Sequence, residues 1–146
     1  QGSLDALRAV VDARPDVLGH NIETVPRLYP EARPGAQYRR SLELLRRAGS
    51  FGIPVTTKSG LMLGLGERRE EISEVLRDLR DADVDIVTLG QYLQPTPSHL
   101  PVAHFYTPED FDEFRGRALE LGFRHAASGP LVRSSYHAEE QEIGGS

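Results

Sequence analysis

Lys58-Ser59-Gly60-Leu61-Met62-Leu63-Gly64-Leu65-Gly66-Glu67 joins an apolar run to a glycine-rich loop and then to an acid. The break at Gly52-Ile53-Pro54 precedes it, so Val55 to Leu63 reads as a strand. From Arg68 to Asp81, Ile72, Val75, Leu76 and Leu79 recur at helical spacing with charged residues between them. The stretch is therefore a strand–loop–helix unit. Glycines at 60, 64 and 66 leave backbone groups open to close approach by a flat ligand, because no side chain intervenes. Glu67 reads first as a helix N-terminal acid favoured by the macrodipole, with a ligand contact as the alternative.

The same unit recurs on both sides. Upstream, Ser3 precedes Leu4, Leu7, Val10 and Val11, a helix pattern that stops before Pro15, and Val17 to Asn21 reads as a strand. A compact segment from Pro26 to Pro34 follows, then Tyr38, Leu42 and Leu45 mark a helix up to Gly49. Downstream, Ile86 to Gly90 is a strand. The long loop after it holds Pro95, Pro97 and Pro101 and reads as a lid or binding loop. Thr107-Pro108-Glu109 starts a helix whose stripe is Phe111, Phe114, Ala118 and Leu121, ended by Gly122. His125 to Ser128 is a short fourth strand, and Gly129 to Ser146 is irregular. Strands alternating with helices imply parallel right-handed crossovers, in an open doubly wound sheet or part of a barrel.

The 146 residues are 38% hydrophobic and 27% charged, the composition of a single globular domain. Seventeen Lys+Arg against 22 Asp+Glu, spread along the chain, give a net charge of -5 and no nucleic-acid footprint. Arg39, Arg40, Arg46 and Arg47 cluster, but on a helix that interleaves them with leucines, where a solvated face is the plainer reading. No apolar run is long enough to cross a bilayer and Gln1-Gly2-Ser3-Leu4 is unlike a signal peptide, so a cytoplasmic protein without membrane contact is expected. Cysteine is absent, and the histidines at 20, 99, 104, 125 and 137 lack metal-ligand spacing.

Parallel α/β folds bind ligands beyond the carboxyl ends of their strands. The first end offers Asn21 and Glu23, whose amide and carboxylate suit ribose hydroxyls or an ammonium group, or equally a local cap for Thr24-Val25-Pro26. The second offers Lys58 to Glu67. Lys58 reads first as a rim lysine, with an anion contact or a Schiff base as alternatives. The third offers Gln91 and Gln94, and the fourth Ser128 followed by Arg133, Ser134, Ser135 and Tyr136.

Gly60-x-Met62-x-Gly64-x-x-Glu67 resembles the Gly-x-Ile-x-Gly-x-x-Glu element on the fifth barrel strand of radical S-adenosylmethionine enzymes, beside the adenine. It stands with His20-Asn21-Ile22-Glu23-Thr24-Val25-Pro26-Arg27-Leu28-Tyr29, Arg33-Pro34-Gly35-Ala36, Thr57-Lys58-Ser59-Gly60 and Gly90-Gln91-Tyr92-Leu93-Gln94-Pro95. The tail adds Ser128-Gly129-Pro130-Leu131-Val132-Arg133-Ser134-Ser135-Tyr136-His137-Ala138. Together, from about Leu4 to Glu140, these resemble the lipoyl synthase family.

The resemblance implies an α/β fold: the C-terminal half of a radical-SAM-type partial TIM barrel over residues 1–128, with an irregular tail over 129–146. It implies S-adenosyl-L-methionine as cofactor and two 4Fe-4S clusters, one generating a hydrogen-abstracting deoxyadenosyl radical and one dismantled as a sulfur source. The product would be an octanoyl chain carrying sulfur at its sixth and eighth carbons, on a lysine of a lipoyl carrier domain. That carrier would be the glycine cleavage H protein or a dehydrogenase E2 subunit. By motif, Ser135 becomes a ligand of the auxiliary 4Fe-4S cluster, the oxygen-bound iron being the one suited to detach. Asn21 and Glu23 map near the ribose and methionyl portion. Lys58 and Ser59 flank the cofactor, beside the wall formed by Gly60, Gly64 and Glu67. Gln91, Tyr92 and Leu93 border the adenine, and Arg133 faces the cluster or a ligand carboxylate.

This sequence departs from the family in having no cysteine. It is expected to be inactive alone, to depend on a missing N-terminal half that holds the cluster ligands, and to leave an open strand edge prone to aggregation. A cluster-free module binding a nucleotide or lipoyl domain, and a lyase using Lys58, are the alternatives.

Overall fold

The computed structural model of the protein describes residues 17–33, 37–48 and 55–132. The serine-capped helix expected before Pro15, the Gly52-Ile53-Pro54 break and the tail beyond Val132 lie outside them. The elements are β1 (Val17–Gly19), a 3-10 turn (Pro26–Leu28), α1 (Tyr29–Ala32), α2 (Tyr38–Ala48), β2 (Thr56–Leu63), α3 (Arg69–Asp81), β3 (Ile86–Gln91), α4 (Pro108–Leu121) and β4 (His125–Gly129).

All pairs are parallel and the strand order is β1-β2-β3-β4, the order of the chain itself. A doubly wound sheet reverses direction at a switch point, whereas this sheet never does. Sequential parallel strands with right-handed crossovers put every connecting helix on one face, the arrangement of a segment of a β/α barrel. The chain is thus an α/β partial barrel, with β1 and β4 as the outer strands among the described residues.

Alternation along the strands sorts the two faces. Leu61 and Leu63 of β2 and Val87 and Leu89 of β3 are fully buried in one cluster with Leu42 and Leu45 of α2, Ile72, Val75, Leu76 and Leu79 of α3, and Phe111 of α4. The opposite face carries Lys58, Gly60 and Met62 in register with Ile86, Thr88 and Gly90. There the turn after β4 folds back: a Cβ on Gly90 would lie 2.1 Å from the carbonyl oxygen of Val132, so only glycine admits that crossing.

The helices end as their sequences direct. Thr107 accepts the N–H of Asp110 at 3.1 Å, the Asp110 carboxylate accepts the N–H of Thr107 at 2.9 Å, and Pro108 fills the first turn. Gly122 closes α4 in the left-handed region at φ +105. α4 is pinned by three edge-to-face rings, with Tyr106–Phe114, Phe111–Phe114 and Tyr106–Phe111 centroids 5.3, 6.0 and 6.1 Å apart. Since Phe111 is fully buried, Phe111→Ala is expected to lower the unfolding free energy by about 3–5 kcal/mol, read by urea denaturation.

Candidate functional site

The first strand is shorter than its sequence suggests, and the reason lies in its backbone. Gly19 pairs with Lys58 while Glu23 bridges Leu61, so four steps along β1 and beyond oppose three along β2. The extra residue is a bulge, which would strand main-chain groups in the interior. Side chains take them up. The N–H of Ile22 donates to Ser59 Oγ at 3.0 Å, its carbonyl accepts the Tyr29 hydroxyl, and the Asn21 carbonyl accepts Arg33 Nη1 at 3.2 Å. The ladder then resumes, with Glu23 N–H donating to Gly60 O and Met62 N–H donating to Glu23 O, both at 2.9 Å. Glu23 ends with φ at +76, a left-handed backbone that a non-glycine residue adopts only when its surroundings impose it.

The second strand end is organised by Glu67. Its carboxylate accepts the N–H of Gly64 at 2.9 Å, the N–H of Leu65 at 3.1 Å and the hydroxyl of Tyr106 at 2.8 Å. Sequence reasoning put this acid first at the start of a helix. That place belongs instead to Glu71, which accepts the N–H of Arg68 at 2.8 Å and two bonds from Arg27, both at 2.9 Å. Arg27 also donates to Gly66 O at 2.9 Å and so ties the turn after Glu23 to the glycine loop. Arg27 holds the Glu71 carboxyl below the usual carboxylate range.

The long loop after β3 is fastened to the same place. Gln91 donates to His104 O at 2.9 Å and accepts Tyr106 N–H at 3.0 Å, and Gly64 O accepts Ala103 N–H at 2.7 Å. A Cβ on Gly64, at φ +112, would fall 2.4 Å from both Gln91 Nε2 and His104 O. The glycine is there to let its own chain pack, as well as to leave room.

Between these two constructions opens a cavity of about 470 Å³. Glu23, Thr24, Glu31 and Arg33 form its polar wall, and Met62, Leu65, Tyr92, Ser98, His99 and Leu100 the other side. Burial raises the Glu23 carboxyl above its ordinary value, against the opposing pull of Arg33 and a hydrogen bond from Asn21. Burial and the Arg33 charge lower the imidazole of His20, which meets Ser41 Oγ at 3.1 Å. Thr24 Oγ1 is buried and has no partner among the described residues. The loop contributes through Tyr92, whose hydroxyl donates to Leu100 O at 2.7 Å, and through His99, whose Nδ1 meets Thr96 Oγ1 at 2.8 Å.

Of the residues singled out from sequence, Glu23 and Tyr92 line this cavity. Asn21 is buried in the bulge beside Glu23. Ser59 is on the helix-facing side of β2, away from Lys58 and Gly60, and serves Ile22. Lys58 shares a face with Met62 but lies four residues earlier, roughly 13 Å down the strand. Gly64, Glu67 and Gln91 build the loop wall, Gly60 accepts Glu23 N–H, and Leu93 is half exposed. Arg133 and Ser135 lie outside the described residues. Arg33, Glu31, Thr24 and His99 were not singled out; the signal was the proline-punctuated loop and the arginine four residues after Tyr29.

A polar strand-end cavity on sequential parallel strands is the setting in which one large enzyme class works, and the sequence profile of the radical SAM superfamily matches residues 2–79. The chain belongs to that superfamily. Within it the chain is similar to lipoyl synthases. It is 60% identical over 141 residues to the lipoyl synthase of Rubrobacter xylanophilus and 60% over 142 residues to that of Methylobacillus flagellatus, in each case 97% of this chain and 44% of the relative. With the lipoyl synthase of Caldanaerobacter subterraneus it shares 54% over 138 residues, 94% of this chain and 49% of that one. The chain thus spans about half the length of the curated relatives it matches. Among the described residues, no helix is long and apolar enough to cross a membrane.

Two outcomes test the geometry. Ser59→Ala leaves the buried Ile22 N–H without its acceptor, and a loss of about 1–3 kcal/mol is expected in chemical denaturation. For Glu23, a folded carboxyl raised above its unfolded value means that stability falls as pH climbs from the ordinary carboxylate range through the folded value. Glu23→Gln removes that cost, so the variant should unfold at higher urea than the parent at neutral pH and match it below about pH 4. An advantage that persists at low pH would refute this account.

Proposed function

We propose that this chain supplies the organic-ligand wall of a lipoyl synthase: it holds S-adenosylmethionine in the cavity between Glu23, Arg33 and Tyr92. The observation that carries the reading is the strained, doubly anchored Glu23 beside Arg33 on the polar wall of a cavity, in a chain this similar to lipoyl synthases. The residues suit the group. S-adenosylmethionine offers an α-ammonium and ribose hydroxyls to the Glu23 and Glu31 carboxylates, and a carboxylate to Arg33. Met62, Leu65, Tyr92 and Leu100 give a flat adenine an apolar surface. When bound, and given one electron by an iron-sulfur cluster held by further polypeptide, the cofactor would supply hydrogen abstraction from an unactivated carbon.

The residues do not suit the iron-sulfur clusters. The chain has no cysteine, and among the described residues no three of His, Asp and Glu gather where a metal ion would be held. In this proposal the cluster ligands come from further polypeptide, with Ser135 as a single oxygen ligand, and the chain alone does not insert sulfur. The substrate is an octanoylated lysine on a lipoyl carrier domain, either the glycine cleavage H protein or a dehydrogenase E2 subunit. The setting is cytoplasmic.

Calorimetric titration of the chain with S-adenosylhomocysteine, a stable analogue, tests the ligand assignment. Saturable binding is expected, weakened about tenfold or more by Arg33→Ala, which strips the ligand carboxylate of its partner. Wild-type chain that takes up no analogue overturns the assignment. Mixing the chain with a polypeptide bearing the cluster cysteines, then examining octanoyl-lysine peptide by mass spectrometry, tests sulfur insertion.

A further inference from the structure

Most polar side chains on the cavity wall are already engaged within the protein. The Tyr92 hydroxyl donates to Leu100 O at 2.7 Å, Ser98 Oγ lies 2.8 Å from Thr96 Oγ1, and Arg33 Nη1 donates to Asn21 O at 3.2 Å. Thr24 Oγ1 has no partner, but it is also sealed from solvent. Besides the acids Glu23 and Glu31, what remains is the imidazole of His99. Its Nδ1 meets Thr96 Oγ1 at 2.8 Å, while Nε2, on the other side of the ring, has no partner among the described residues.

The ring is held in place although nothing buries it. Leu93 to His99 are all exposed. Even so, His99 N–H donates to Thr96 O at 3.0 Å, and His99 O accepts Gln94 Nε2 at 2.8 Å. Ser98 N–H donates to Thr96 Oγ1 at 3.3 Å, so the hydroxyl that meets the imidazole is itself fixed. A merely solvated histidine gains nothing from such an arrangement, because ordering an exposed side chain costs entropy. Neither His20 nor His104 offers the same thing: His20 is turned to Ser41, and the His104 ring packs edge-on against Tyr106 with centroids 4.5 Å apart.

The surroundings of His99 say what kind of group it meets. Glu23, Glu31 and Arg33 stand together on one wall, suited to the charged end of a ligand. His99 belongs to the other side, with Met62, Leu65, Tyr92 and Leu100. An apolar surface with one hydrogen-bonding nitrogen fits a heteroaromatic base, whose faces are apolar and whose edge is polar. Thr96 Oγ1 can donate to Nδ1 or accept from it, so the neutral imidazole can present Nε2 as acceptor or as donor. An adenine edge has a partner for either, an amino group beside ring nitrogens.

We propose that His99 is the base-binding residue of the cavity, its Nε2 hydrogen-bonded to the edge of the ligand's adenine, with Gln94 and Thr96 as the strap that holds the ring. The inference rests on the function proposed above and deepens it by giving the ligand a direction. The amino-acid end lies at Glu23 and Arg33, and the base lies at His99.

The test titrates the chain and its variants with S-adenosylhomocysteine and with 5′-methylthioadenosine, which keeps the base and lacks the amino-acid end. His99→Ala should weaken both ligands by the same factor, about fivefold or more, the equivalent of one hydrogen bond. Arg33→Ala should weaken S-adenosylhomocysteine alone. His99→Phe, a flat ring without nitrogens, should bind as poorly as the alanine variant, and His99→Gln, whose amide donates and accepts, should recover part of the loss. Because His99 is exposed, all three of its variants should melt with the parent, so lost binding is separable from lost folding. Unchanged binding in His99→Ala overturns the proposal, as does parental affinity in His99→Phe, which would make the ring a surface and nothing more. A loss confined to S-adenosylhomocysteine overturns it too, by placing His99 at the amino-acid end, and so does a parent chain that binds S-adenosylhomocysteine but not 5′-methylthioadenosine at millimolar concentration. Each of these leaves the cavity assignment standing. A parent chain that takes up neither ligand overturns that assignment and this one with it.

Discussion

Everything near the cavity follows from one requirement: a residue inserted after β1 must not leave its main-chain groups unpaired in the interior. Ile22 is fully buried, so neither its N–H nor its carbonyl can turn to water. Ser59 and Tyr29 meet that need from two directions, one from the neighbouring strand and one from α1. Once both are in place, the next residue has no freedom left. Its ladder bonds to Gly60 and Met62 oblige Glu23 to take a positive φ. The strain at Glu23 is the consequence of satisfying Ile22, and it fixes where the carboxylate group stands.

The glycine loop solves the opposite problem. Here the strand ends and the loop's free N–H groups need acceptors, which the chain supplies three residues later with Glu67. The same carboxylate reaches Tyr106, and Gln91 reaches both sides of Tyr106 and His104, so the long loop is held against β2 and β3 at several points. Burial and the Glu67 carboxylate push the Tyr106 hydroxyl well above its usual range, which keeps it a donor at every physiological pH. Arg27 completes the frame by joining the turn after Glu23 to Gly66 and Glu71. Two loops from different strands are thus one rigid wall.

Much of this was legible in sequence, and the part that was not has a physical cause. The strands and helices from Tyr38 to Gly122 announce themselves by period and caps, and Thr107, Pro108 and Gly122 stand where such residues are expected. Ser59 was chosen for its neighbours in a motif; its direction depends on strand parity, and parity placed it on the helix side with Leu61. The early end of β1 was hidden because a bulge is a property of register between two strands, and no single strand contains it. Glu67 was misplaced because a carboxylate before a helix reads as a cap, and only the fold brings Gly64, Leu65 and Tyr106 within its reach. Arg33 was overlooked as a site residue for a related reason: its position against Asn21 and the cavity arises from the turn of α1, which four residues with a proline barely signal.

The feature that stability alone would remove is the half-buried carboxylate of Glu23, which burial raises above its ordinary value. It opposes a general tendency, since carboxylates resist burial. Its stretch of chain is tied to α2 through Tyr29, Tyr38 and Ser41. Local rules are obeyed across much of the remainder of the described residues, in capped helices, an apolar helix-facing layer and a glycine at 90 where a Cβ would collide. A departure from stability at a strand end is economically explained by a ligand that the acid faces. Under the function proposed above that ligand is a small zwitterion, whose ammonium would compensate a half-buried acid. The tyrosine that anchors the bulge also packs against α2, so Glu23 is positioned from the helix layer as well as from the sheet.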